Sequence, residues 1–230
     1  MTESPIIIAL DFESADQARA LVAELGSAAG VYKVGMELYA AAGMDFVHEL
    51  KASGKRVFLD MKCYDIGETV RRAVAQVAKA GADFLTVHSS GAVMRAAIDG
   101  RGDSKLKILA VTVLTSFNDE DVRELGYNCS LSELVRHLAA VAVKCGVDGM
   151  ITSPLEVRTV RTIAGPDRIL VTPGVRSAGA AKGDQKRVAT PAEALANGAD
   201  YLVIGRQVTR AAHPAAALEK ILDEIGVAKN

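Results

Sequence analysis

The stretch VFLDMKCYDIGETVRRAVAQVAKAGADFLTVHS, Val57–Ser89, contains the unit from which the whole chain can be read. It opens with a short apolar run, Val57 to Lys62, and closes with another, Phe84 to Ser89. Between them lies an Ala- and Val-rich segment of helical spacing that ends in a Gly-Ala-Asp turn. Two strands joined by a helix run parallel. The same unit recurs outward in both directions. Pro5 to Asp11 and Val31 to Gly35 precede it, and Ile108 to Leu114, Gly149 to Ser153, Arg168 to Gly174 and Tyr201 to Arg206 follow, each bounded by Gly, Pro or charged residues. Ser14 with Gln17, and Ser130 with Glu133, have capping-box spacing at helix starts. Eight alternations predict an α/β chain closed into a (β/α)₈ TIM barrel, a single domain over residues 1–230. An open doubly wound sheet also satisfies the alternation. A second Gly-Ala-Asp turn, at Gly198 to Asp200, feeds the last strand as the first feeds Phe84, and reads as a left-handed helix cap.

Composition agrees with this plan and narrows the function. Half of the 230 residues are hydrophobic, only 4% are aromatic and Trp is absent, which suits a buried parallel sheet under Ala-rich helices. Lys plus Arg (27) and Asp plus Glu (28) nearly cancel, so the broadly basic surface of a nucleic-acid binder is missing. Cys63, Cys129 and Cys145 are odd in number and widely spaced, which argues against a disulfide framework or a zinc site and for a reducing compartment. The opening MTESPIIIALDFESADQ lacks a basic start, and its apolar run stops at Asp11. No apolar run approaches the roughly 20 residues of a membrane span, so a cytoplasmic location without membrane partners is expected.

Active sites of such barrels lie at the carboxyl ends of the strands, and here those ends are unusually polar. Strand one ends in Asp11, strand two holds Lys33, strand three carries Asp60 and Lys62, and strand four ends at His88. Thr115 and Ser116 follow strand five, TPGVR (Thr172–Arg176) closes strand seven, and Gly205 and Arg206 close strand eight. Asp60 and Lys62, two apart on a strand, share a face, while Met61 and Cys63 turn away. With Lys33 from the next strand and Asp65 just beyond, they predict an alternating lattice of two cations and two anions, costly to bury unless function retains it. The Gly- and Ala-rich run Ser177 to Gly183 offers no apolar face and reads as a lid loop. Arg176, Gln185 and Arg206, with the backbone N–H groups of Gly205 and Arg206, are candidates for binding a phosphate dianion. His88 reads as structural, and His48, His137 and His213 as surface residues. Gly26 to Gly30, GSAAG, is a turn rather than a dinucleotide loop, because it precedes a strand.

IIIALDF, YKVGMEL, FLDMKCYDIGETV, TVHSSGA, AVTVLTS, TPGVR with GDQKR, and DYLVIGR together resemble the orotidine 5′-monophosphate decarboxylase family, in order from strand one to strand eight. The resemblance implies cofactor-free, metal-free decarboxylation of orotidine 5′-monophosphate to uridine 5′-monophosphate in pyrimidine biosynthesis. It makes Lys62 the proton donor, with Asp60 beside the substrate carboxylate. It implies a homodimer in which Asp65 and Thr69 reach the neighbouring site. Asp11 and Lys33 would hold the ribose, Thr115 the pyrimidine edge, and Gln185, Gly205 and Arg206 the phosphate, with Pro173 and Arg176 nearby. The family commonly reads Lys-x-His-Asp-Ile-Pro-Asn-Thr where this chain has Cys63, Tyr64, Gly67 and Glu68, a change in how the turn before Thr69 is stiffened. The rival readings are a magnesium-dependent sugar-phosphate decarboxylase or lyase, with Glu37 and Asp60 as ligands, and a non-catalytic phosphate-sensing barrel.

Overall fold

The computed structural model describes residues 4–177 and 189–226. Eight strands, β1 (Ile6–Ala9), β2 (Val31–Gly35), β3 (Arg56–Cys63), β4 (Phe84–His88), β5 (Lys107–Val111), β6 (Gly149–Ile151), β7 (Ile169–Pro173) and β8 (Tyr201–Ile204), pair in sequence order. β8 also pairs in parallel with β1, through Ile7 and Val203, so the sheet is a closed barrel. That seam removes the open-sheet alternative.

Helices return the chain between strands: α1 (Ala15–Leu25), α2 (Met36–Ala52), α3 (Gly67–Lys79), α4 (Gly91–Arg101), α5 (Asp119–Glu124), α6 (Leu131–Cys145), α7 (Val157–Ala164) and α8 (Pro191–Ala196). After β8 come α9 (Arg206–Thr209) and α10 (Pro214–Glu224). Ser14 caps α1 by accepting from the Gln17 N–H, and Ser130 with Glu133 makes the full reciprocal box on α6. His48, His137 and His213 are exposed, as expected.

Alternation along each strand divides the core in two. Outward residues pack against the helices, while Ile7, Val31, Phe58, Phe84, Leu109, Val171 and their neighbours fill the barrel. Three of the scarce aromatics cluster inside it. Phe84 meets Phe58 and Tyr201 edge-on, and the Arg56 guanidinium lies 4.8 Å from the Phe84 ring centre and donates to the Tyr201 hydroxyl. Gly149 is required by close approach: a Cβ there would fall 2.2 Å from the Ile169 carbonyl oxygen.

The Gly-Ala-Asp turns do more than cap helices. Asp83 accepts the Val57 N–H at the start of β3, and Asp200 accepts the Leu170 N–H at the start of β7. A third turn, Gly146 to Asp148, repeats the device, with Asp148 accepting the Ile108 N–H. Each carboxylate also takes a cation from the helix before the odd strand, namely Lys51, Arg161 and Arg101 respectively. These latches join β3 to β4, β5 to β6 and β7 to β8 at the end remote from the polar mouth.

Candidate active site

The strand ends surround a cavity of about 660 Å³. Its geometry depends on an irregularity in β3. Opposite β2 the strand is regular to the Gly35–Asp60 pair, but opposite β4 it advances from Leu59 to Cys63 while its partner advances only from Leu85 to Val87. Lys62 lies within the bulge at φ 46°, the only non-glycine residue with positive φ among the described residues. Its N–H donates to the Thr86 hydroxyl at 2.8 Å. A left-handed lysine carries backbone strain of about 1–3 kcal/mol. The spacing of Asp60 and Lys62 thus predicts the right neighbours, but a bulge, not a regular strand, brings them together.

Four side chains form a continuous row of alternating charge. Asp11 Oδ1 lies 2.9 Å from Lys33 Nζ, which lies 3.5 Å from Asp60 Oδ2, and Asp60 Oδ1 lies 2.9 Å from Lys62 Nζ. The Thr86 hydroxyl donates to Asp60 Oδ1 at 2.9 Å. Side-chain exposures of 11% for Lys33 and 14% for Asp60 place the middle of the row out of bulk water, where exposed-pair energetics do not apply. Burial alone would push the Asp60 carboxyl up, but the Lys33 and Lys62 charges and the hydrogen bonds from Lys62 and Thr86 outweigh it and hold Asp60 below the usual carboxylate range. Asp60 is therefore an anion fixed between two ammonium groups.

Within one chain the second anion of the lattice is Asp11, not Asp65. Asp65 and Thr69 are exposed and outside the cavity, and Asp65 Oδ1 accepts the Ile66 N–H. Tyr64 and Ile66 beside them are 69% and 74% exposed. The Tyr64 ring rests 4.8 Å from that of His88, so the departure from the family's histidine places an aromatic contact across the β3–β4 turns. His88, expected to be a hydrogen-bonded structural residue, is exposed and makes this ring contact, and the partial burial of its imidazole lowers its pKa. Met61 and Cys63 pack toward the helices, and burial raises the Cys63 thiol, which disfavours its thiolate form.

Arg176 and Arg206, near enough to repel, line the same cavity with Pro173, Gly174 and Gly205. Arg176 is half-buried, and both burial and the charge of Arg206 disfavour its protonated form. Two guanidiniums held together in this way predispose the spot to a dianion. Thr115 and Ser116 line the wall after β5, and Glu37 the side near Lys33. Gln185 and the run from Ala178 to Gly183 lie outside the described residues.

Two contributors escape sequence reasoning. Thr86 is fully buried and orders both Asp60 and the Lys62 backbone; its only sequence signal is a hydroxyl in the apolar run FLTVH. Gly35 has extended backbone, which any residue can adopt, but a Cβ there would lie 2.9 Å from Lys33 Nζ and 3.2 Å from Asp11 Oδ1. Gly35→Ala should therefore displace a flexible ammonium at little cost to folding. Expected are a nearly unchanged Tm and a loss of about 10- to 100-fold in kcat/KM, read by thermal melting and steady-state kinetics.

Comparison with known proteins agrees with this geometry. The family model described as "Orotidine 5'-phosphate decarboxylase / HUMPS family" matches residues 4–221. The chain is 51% identical over 223 residues to a Rhodopseudomonas palustris (strain BisB5) protein named orotidine 5′-phosphate decarboxylase, covering 97% of this chain and 95% of that one. A Caulobacter vibrioides (strain NA1000 / CB15N) protein of the same name is 50% identical over 230 residues, covering 98% and 99%. The crystal structure of orotidine 5′-phosphate decarboxylase from Lactobacillus acidophilus superimposes with a TM-score of 0.85 at 38% identity, covering 97% and 99%. Matched along nearly its whole length in both sequence and fold, the chain belongs to the orotidine 5′-phosphate decarboxylase / HUMPS family.

Proposed function

We propose that the chain decarboxylates orotidine 5′-monophosphate to uridine 5′-monophosphate, as its curated relatives are named for doing. The observation that carries the reading is the row Asp11–Lys33–Asp60–Lys62, which lines the same cavity as the paired arginines. The phosphate is held by Gln185, Gly205 and Arg206, with Arg176 nearby, which directs the pyrimidine toward Lys62. The bond from C6 to the carboxylate carbon breaks, CO₂ departs, and the electron pair stays on C6 in the ring plane, poorly stabilised by resonance. The Lys62 ammonium faces that charge, then gives C6 its proton and recovers one from solvent. Asp60, paired with the Lys62 ammonium, keeps it aimed, Asp11 and Lys33 hold the ribose, and Thr115 faces the pyrimidine edge.

The active unit in this proposal is a homodimer, in which Asp65 and Thr69 complete the partner's site. Their exposure beside Tyr64 and Ile66, away from their own cavity, favours this arrangement. A cytoplasmic location fits a nucleotide substrate, and no described helix is long and apolar enough to cross a membrane.

The magnesium-dependent reading requires open carboxylate oxygens at Glu37 and Asp60. Both Asp60 oxygens instead face ammonium groups, and one also accepts from Thr86. The decisive measurement is the ultraviolet absorbance of orotidine 5′-monophosphate during incubation with enzyme and EDTA. Undiminished consumption is expected. Activity lost to EDTA and restored by magnesium would assign the chain to the sugar-phosphate chemistry of its suprafamily, and no consumption at all would leave the sensing barrel.

A further inference from the structure

We propose that Gln207 is a positioning residue that holds Arg176 against its repulsion from Arg206, so that the arginine pair is preformed for an incoming phosphate. The inference rests on the assignment of that part of the cavity to phosphate. Gln207 follows Arg206 on α9, and its carboxamide makes two hydrogen bonds to one residue. The Ser177 N–H donates to Gln207 Oε1 at 3.2 Å, and Gln207 Nε2 donates to the Ser177 hydroxyl at 2.7 Å. Ser177 is the residue after Arg176. On its other side, Arg176 donates its own N–H to the Ala189 carbonyl at 3.0 Å, and Val175 bridges Ala189 in parallel. The Arg176 backbone is therefore pinned from both directions, and one pin comes from the segment that carries Arg206.

The chemistry at position 207 is specific. An amide presents an acceptor to the Ser177 N–H and a donor to its hydroxyl at once, which a hydrocarbon of the same size cannot do. Like charges held at the mouth of a cavity separate unless something opposes them, and side-chain freedom lost before binding is not lost during it. Arg176 is half-buried with Nη1 donating to the Val175 carbonyl at 2.7 Å, so its head follows its backbone. Releasing Ser177 would release the guanidinium.

The test compares wild type with Gln207→Leu, which removes both bonds at nearly constant volume, and Ser177→Ala, which keeps the bond from the N–H. For orotidine 5′-monophosphate, Gln207→Leu is expected to raise KM about tenfold with little change in kcat, and Ser177→Ala to do about a third of that. Adding Ser177→Ala to Gln207→Leu should cost little more, because the hydroxyl has already lost its partner. For the phosphate-free nucleoside orotidine, Gln207→Leu should change kcat/KM by less than about twofold. Gln207→Glu can accept from both groups of Ser177 but brings an anion beside the arginines, so it should preserve Tm and still weaken phosphate binding. Inorganic phosphate titrated by calorimetry gives a reading independent of turnover, with about tenfold weaker binding expected in Gln207→Leu. Equal losses for orotidine and its phosphate ester, or unchanged phosphate binding, would overturn the proposal. A wild type that binds phosphate but does not consume orotidine 5′-monophosphate would overturn the assigned reaction and leave the role of Gln207 standing or falling on the calorimetry.

Discussion

Lys62→Ala should leave a folded protein that consumes orotidine 5′-monophosphate at least about 10⁴-fold more slowly, since in the proposed mechanism it removes both the general acid and the cation beside the developing charge. One cation–anion contact near 4 Å contributes about 4 kcal/mol at an effective dielectric of 20, whereas enzymatic accelerations require roughly 8–23 kcal/mol. Proton donation and the rest of the charge row must add to it, and all of these effects meet at one Nζ. Folding should survive because Asp60 keeps Lys33 and Thr86 as partners, and alanine inherits the left-handed backbone without adding to its strain. Absorbance kinetics at saturating substrate, alongside thermal melting of both proteins, provide the check. A variant within tenfold of wild type would remove Lys62 from the chemistry.

Arg206→Ala is expected to lower kcat/KM by about 10²- to 10³-fold, the scale of a lost charge-assisted contact of roughly 3–4 kcal/mol. The site of the loss is informative. Arg206 follows β8 and Lys62 lies on β3, three strands away around the barrel, so an effect that extends to kcat means that phosphate binding is used to order the charge row as well as to recruit substrate. The complementary measurement supplies phosphite with orotidine, restoring in two pieces what one substrate normally delivers. Wild type should gain rate with phosphite and Arg206→Ala should not. No gain in wild type would mean that the phosphate acts as an address alone.

The fold was legible because every strand is a short apolar or β-branched run between turn formers, and most strand boundaries agree to within about three residues. Closure was expected from the count of eight but not proved by it, since it depends on Ile7 meeting Val203, a pairing between opposite ends of the chain that no local pattern encodes. At the site, Asp60, Lys62, Lys33 and Asp11 could be found because charge at the end of an apolar strand is costly without a purpose. The bulge at Lys62 was hidden, because a two-residue spacing looks the same on a regular strand as on an irregular one. Thr86 and Gly35 were missed for a different reason. Their importance lies in what stands opposite them, a carboxylate across one strand boundary and an ammonium two residues back. The latch role of Asp83 and Asp200 escaped likewise, since the N–H each accepts belongs to the preceding strand.

Those latches also bear on how the barrel comes together. The bonds from Asp83 to Val57, Asp200 to Leu170 and Asp148 to Ile108 span 26, 30 and 40 residues, whereas the β1–β8 seam spans almost the whole chain. Short loops close at lower entropic cost, so the three latched units can form as local kinetic modules before the ring is sealed. The last event is then the arrival of β8 beside β1, which sets Arg206 at the cavity mouth. A nascent chain could assemble Asp60, Lys62 and Thr86 early, yet it would complete the proposed phosphate site only when its final strand is in place.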